Sequence, residues 1–177
     1  MLHAVLTMGA SASGKSTFVH KYYSHYTEIN RDNVRIETFM NGDESQYHHY
    51  VHSHENEYAV TKIVSNKLKK AVNDKKNIVL SDTHLHIPHI KERIHYLKNQ
   101  GYCITVYVFE LPFVQLKKRN QERVLRQTPL PILKAQHKKL SILLKGDAVT
   151  KLRVEIVKIN EEGIHSESVI KSLRIIG

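Results

Sequence analysis

Short apolar runs alternate along this chain with longer stretches whose apolar residues recur every three or four positions. Leu2 to Thr7 reads as a first buried strand, and helical spacing follows at Phe18, Val19, Tyr22 and Tyr23. Thr27 to Ile29 reads as a short second strand and Asn77 to Asp82 as a third. Cys103 to Phe109 is nearly all apolar and β-branched or aromatic, the pattern of a strand buried on both faces. Between the strands, Val60, Val64, Leu68 and Ala71 mark a helix over about 55–73. Pro88 opens another, with Ile90, Ile94 and Leu97 on one face and Gly101 beyond its end. Pro112 opens a short basic helix, and Pro131 opens one carrying Leu133, Leu140 and Leu144, with Gly146 after it. From Leu152 to Ile156 the residues alternate, as in a strand with one solvated face. The final "GIHSESVIKSLRIIG" fits either the return strand of a hairpin or a short helix.

Strands alternating with helices predict an α/β fold in three layers, a mainly parallel sheet with helices on both faces. No repeat, low-complexity tract or linker interrupts the pattern. One domain is expected over 1–177, with a core over 1–144 and a small C-terminal β addition over 145–177. Ligands of such sheets bind at the carboxyl ends of the strands, and the chemistry-bearing residues fall there.

The first strand runs straight into Gly9-Ala10-Ser11-Ala12-Ser13-Gly14-Lys15-Ser16, followed by Thr17. This satisfies the G-x-x-x-x-G-K-[ST] phosphate loop in the strand–loop–helix context that its mechanism requires. Consecutive backbone N–H groups wrap the β-phosphate, Lys15 bridges the β- and γ-phosphates, and the Ser16 hydroxyl binds Mg²⁺. ATP and Mg²⁺ are therefore the expected cofactors; a glycine-rich turn that caps a helix is the bland alternative. Ala12 stands where many such loops have glycine, a modest constraint if its φ is negative and a problem if positive.

"EINRDNVR" places Asp32 where a β-leaning piece ends and a helix starts, with Arg31 and Arg35 beside it. Asp32 is either a helix cap in a local salt bridge or the base of an active site. Asp82 ends the third strand, where an aspartate commonly holds the Mg²⁺ shell, or else caps the turn "THLHIP". Arg119, Arg123 and Arg126 are spaced four and three, so they are expected on one helix face. That face is either solvated or part of an arginine-bearing lid. In "QYHHYVHSHENE", His48 and His52 could share a helix face as metal ligands, while Tyr47 and Tyr50 could stack on bases. A plain exposed surface is the third reading of that stretch, His49 and His54 included.

Charge narrows the ligand class. The chain of 177 residues carries a formal net charge of +10, with 13 histidines besides, which favours a polyanionic partner over a merely soluble basic protein. Its one cysteine, Cys103, excludes an internal disulfide and is expected to be a small buried hydrophobe. "MLHAVLTMGA" lacks a basic start, and no apolar run approaches the ~20 residues of a membrane span. A cytoplasmic protein is expected.

"LTMGASASGKST", "EINRDNVR", "VLSDTHLHIP" and "VFELPFVQLKKRNQER" stand in one order. Together they resemble the 5'-kinase domain of the phage polynucleotide kinase/phosphatase family, from about Met1 to about Leu144. The resemblance implies the P-loop kinase fold and transfer of the ATP γ-phosphate to a 5'-hydroxyl of DNA or RNA, and it hints at a phage source. It implies that Asp32 is the general base and that Arg35 contacts the acceptor strand. Asp82 and Thr83 match residues beside the transfer site, and Arg119 and Arg123 match lid arginines that hold the donor phosphates. His84 departs from the family's usual asparagine, which leaves the acceptor pocket open. Residues 145–177 carry no D-x-D-x-T element, so no 3'-phosphatase is expected. Related phage kinases phosphorylate 5-hydroxymethyluracil within DNA, and that acceptor stays as the alternative. A small-molecule kinase fits the charge less well, and a binding module that merely retains a P-loop fits the intact Lys15, Ser16, Asp32 and Asp82 less well still.

Overall fold

The strands decide the architecture, and in the structure, a computed structural model, they form one sheet. It describes residues 1–160 and the backbone of 163 and 164. β1 (His3–Gly9), β2 (Thr27–Ile29), β3 (Ile78–Leu80), β4 (Cys103–Phe109) and β5 (Glu155–Asn160) are parallel. β6 (Gly163–Ile164) turns back antiparallel on β5. The order across the sheet is β2-β3-β1-β4-β5-β6. The C-terminal β addition is thus built into the main sheet at its edge. Gly163–Ile164 matches the return-strand reading of the last stretch; the rest of that stretch lies outside the described residues.

Two periodicities make the layers. Along β1, Ala4, Leu6 and Met8 face one core while Val5 faces the other; along β4, Ile104, Val106 and Val108 oppose Tyr107 and Phe109. The first core packs under α3 (His54–Asn73), α4 (Ile87–Asn99) and α6 (Leu130–Lys145) through Val60, Val64, Leu68, Ile90, Ile94, Leu97 and Leu140. The second packs under α1 (Lys15–Tyr22), with Phe18, Val19, Tyr23 and Tyr26 against Tyr107 and Phe109. α2 (Arg31–Phe39), a 3-10 helix (Glu44–His49) and α5 (Phe113–Gln121) lie at the carboxyl ends of the strands. β1 is the switch point of the sheet, with β3 on one side and β4 on the other. The crevice beyond its end is therefore the place for a ligand.

Two expectations need correction. Cys103 is exposed, because it begins β4 at the amino edge of the sheet, beside Met1, before the strand enters the core. Arg119, Arg123 and Arg126 do not share a helix face, because α5 stops at Gln121. The buried side chain of Asn120 turns the chain there: its Nδ2 donates to Thr128 O (2.8 Å) and its Oδ1 accepts from Thr128 N (2.9 Å). Gln127 Nε2 donates to the carbonyls of Gln121 (3.2 Å) and Arg123 (2.7 Å), satisfying acceptors that the helix would have used. Arg123 and Arg126 stand in the loop so formed, Arg126 with φ 56°.

Candidate active site

The phosphate loop follows β1 and is shaped by its backbone. A Cβ on Gly9 would lie 3.0 Å from both Cβ and O of Phe109, so only glycine lets the loop pass β4 this closely. Gly14 has φ 93° at the N-cap of α1, and no side chain caps that helix, so its leading amides are open to an anion. Ala12 has φ 61°, the costly side of the alternative posed by its methyl group. Ser11 N donates to Gln136 Oε1 of α6 (2.8 Å), a partner 125 residues away that no sequence pattern announces.

Lys15 is buried. Its Nζ donates to Gly9 O (3.0 Å), Ala10 O (2.6 Å) and Ser13 Oγ (3.2 Å), all neutral acceptors. Burial, and then the Arg123 charge, push its pKa down to about 7 against the opposing pull of Asp82 and Asp32. A buried ammonium short of negative charge fits a polyphosphate.

Across the crevice stands the carboxylate site. Asn30, not Asp32, is the N-cap of α2: its side chain accepts from Asn33 N (3.0 Å) and donates to Ser81 O (3.0 Å) and Ser81 Oγ (2.9 Å). Asp82 Oδ1 accepts from Arg31 N (2.9 Å), so the end of β3 also satisfies the start of α2, and Asp82 caps this helix rather than the following turn. These bonds fix Asp32 in the first turn, one turn before Arg35. Asp32 Oδ1 accepts from both the Arg35 guanidinium and the Tyr47 hydroxyl. Among the described residues Asp32 Oδ2 has no hydrogen-bond partner. The Asp32 side chain is 41% exposed, that of Arg35 only 12%.

Glu57 in α3, which the sequence reading missed, organises this half. Its carboxylate accepts from Arg35 Nε (2.9 Å) and NH2 (2.8 Å), Arg31 NH2 (2.8 Å) and the Tyr50 hydroxyl (3.0 Å). Burial opposes its charge, but Arg35, Arg31 and Tyr50 outweigh burial and hold the carboxyl far below the usual range. Burial likewise works against the Arg35 charge, and Glu57 and Asp32 outweigh it. A glutamate in the first turn of a helix is ordinary in a sequence, so nothing local signals this role.

The histidine-rich stretch divides. His48 lies in the 3-10 helix, which ends at His49, while His52 follows it, so the two do not share a helix face. Among the described residues no group of three or more His, Cys, Asp or Glu is arranged to hold a metal ion. Tyr47 stacks on Tyr50 at 6.3 Å, under the Arg126 guanidinium at 5.8 Å. Arg126 Nε also lies 2.6 Å from Glu44 Oε1, a charge contact without hydrogen-bond alignment.

One cavity of about 430 Å³ brings together Ser11 to Ser16, Asp32, Arg35, Tyr47, Asp82, Thr83, Arg123 and Arg126. Arg119 reaches the loop from outside this cavity, its NH1 3.7 Å from where a Cβ on Gly14 would stand. Thr17 is exposed on α1, and Gly9 and Ala10 serve through their backbone. His84 lines a neighbouring cavity instead. Its Nδ1 donates to Thr7 O (2.7 Å), and burial pushes its pKa below the ordinary histidine value against the opposing pull of Asp82.

The sequence pattern of a family described as an AAA domain (AAA_33) matches residues 5–143. The chain belongs to this family. It is 37% identical over 86 residues to a putative bifunctional polynucleotide kinase/RNA ligase of Autographa californica nuclear polyhedrosis virus, covering 46% of this chain and 12% of that protein. Among solved structures, a chain of the Pnkp1/Rnl/Hen1 RNA repair complex superposes with TM-score 0.68 at 21% identity, over 81% of this chain and 45% of that one. A chain of the PezAT toxin–antitoxin system of Streptococcus pneumoniae superposes with TM-score 0.67 at 15% identity, over 96% and 73%. The chain thus spans a small part of its curated relative and under half of the repair-complex chain. The motif resemblance to polynucleotide kinases agrees with these relatives, and the domain has the fold and phosphate loop of P-loop phosphotransferases. None of its described helices is long and apolar enough to cross a membrane.

Proposed function

We propose that this domain is an ATP-dependent polynucleotide kinase that transfers the γ-phosphate to a 5'-hydroxyl end of DNA or RNA. The observation that carries the reading is the unpartnered Asp32 Oδ2 in the same cavity as Lys15 and Ser16. Mg·ATP, when bound, supplies the phosphoryl group. Ser16 would hold the metal directly; Asp82, whose Oδ1 is used by Arg31 N, offers Oδ2 to a metal-bound water. Such a site needs few protein ligands, since Mg²⁺ keeps several waters and phosphate oxygens. Asp32 Oδ2 takes the proton of the acceptor hydroxyl, while Arg35 and Tyr47 hold the other oxygen and fix the carboxylate plane. Lys15 and Arg123 neutralise charge on the transferred group, where most of the rate enhancement of phosphoryl transfer arises, and Arg119 supports the donor phosphates from the outer side of the loop. The net charge of +10 favours a polynucleotide over a small acceptor.

The test offers γ-labelled ATP and Mg²⁺ to a 5'-hydroxyl oligonucleotide, a 5'-phosphorylated duplex containing 5-hydroxymethyluracil, and free nucleosides. Label is expected on the first, and Asp32→Ala should lower its turnover ~10²–10⁴-fold with ATP binding retained. Label confined to either of the other two acceptors would overturn the reading.

A further inference from the structure

Past Asp82, on the side away from the phosphate loop, a second cavity of about 520 Å³ opens at the start of α4. Arg31, Arg93, Lys139, His86 and His89 line it, against the single carboxylate of Asp82. It runs on into a third cavity of about 390 Å³, which shares Arg31, His89 and Arg93 and adds Lys69, Tyr96 and one carboxylate, that of the exposed Glu92. It also shares Asp82, Thr83 and Gln136 with the active-site cavity, so the three are consecutive. The cations here differ in how they are used. Arg31 is already paired with Glu57. Arg93 is partly buried, yet makes no hydrogen bond or ion pair among the described residues, although a guanidinium carries five N–H donors. The first turn of α4 adds to the field: it has no acidic residue and no side-chain cap, so its positive end faces the same space.

We propose that this cavity is a subsite for the phosphodiester backbone of the substrate strand, beyond the acceptor nucleotide. Arg93 is its principal cation and Lys139 its rim. The inference rests on the polynucleotide acceptor proposed above, but a binding measurement tests it without turnover. Fluorescence anisotropy with a labelled single-stranded 5'-hydroxyl decanucleotide, without ATP, reads affinity at several salt concentrations. In the double variant Arg93→Ala/Lys139→Ala, Kd should rise at least tenfold and the slope of log Kd against log salt should fall by ~1.4, two phosphate contacts at ~0.7 each. The control Lys21→Ala/Lys70→Ala removes the same charge from exposed positions outside the cavity. Equal loss in the control, or an unchanged slope in the cavity variant, overturns the subsite. An unaltered melting temperature and ATP affinity show that the cavity variant is folded. If the wild type binds the oligonucleotide but labels none, the kinase reading fails while the subsite stands.

Discussion

The phosphate loop and the carboxylate site face each other across one cavity and are built by opposite means. The loop is eight consecutive residues, and its shape lies in backbone geometry: the close pass of Gly9, the left-handed turn at Gly14, the open end of α1. The carboxylate site is a chain of side chains from three elements, Tyr47 to Asp32 to Arg35 to Glu57 to Arg31. A backbone cradle is fixed by local dihedral angles. A side-chain network is fixed by its members, and losing one leaves charged neighbours partly buried and unpaired.

The sharpest way to break that contrast is Glu57→Ala. Arg35 and Arg31 lose their shared partner, and Arg35 is left to Asp32 alone. Acceptor phosphorylation should fall roughly 10–100-fold in kcat/KM, the range expected when one member of a coupled polar network is removed. The dissociation constant for ATP should stay within about threefold, because the loop makes no contact with Glu57. Equal loss on both sides, measured by steady-state kinetics and nucleotide titration, would mean that the two regions are one cooperative unit.

The same contrast explains what the sequence made legible. The phosphate loop is contiguous, so a pattern finds it. Strand β4 is a run of buried residues, and α3 repeats at helical spacing, so both stand close to where periodicity put them. Asp32 and Arg35 are one helical turn apart and were visible as a pair. Glu57 and Gln136 were not, because their partners are distant in the chain and each is an ordinary polar residue on a helix. The end of α5 failed for a related reason: spacing extended the helix through Arg126, while the Asn120 side chain, bonded to Thr128, ends it.

Lys15 offers a smaller test of the cradle. Its pKa in the folded protein, about 7, lies below the ordinary 10.5. Between those values the unfolded chain holds a proton that the folded chain has released, so stability should rise with pH across that window, with the full cost of burial present below it. A bound polyphosphate favours the ammonium, so nucleotide binding should take up a proton in the same window. Titration calorimetry in buffers of different ionisation enthalpy should give uptake approaching one proton at about pH 8.5 and near zero at about pH 6. No uptake at the higher pH would mean that Lys15 keeps its charge without the ligand.

Ala12→Gly probes the cradle most gently. The methyl group at φ 61° costs about 1–2 kcal/mol relative to glycine in the same conformation. Removing it relieves that strain but frees the unfolded chain by ~0.4–1 kcal/mol and gives up a small buried apolar surface. The terms oppose each other, so the net change in stability should lie within about 1 kcal/mol, read as a small shift in the melting midpoint. Nucleotide affinity should stay within about threefold, because Ala12 serves the loop through its backbone. A tenfold loss would place the Ala12 methyl group itself in the phosphate site, and the division between a backbone-built loop and a side-chain-built carboxylate site would no longer hold.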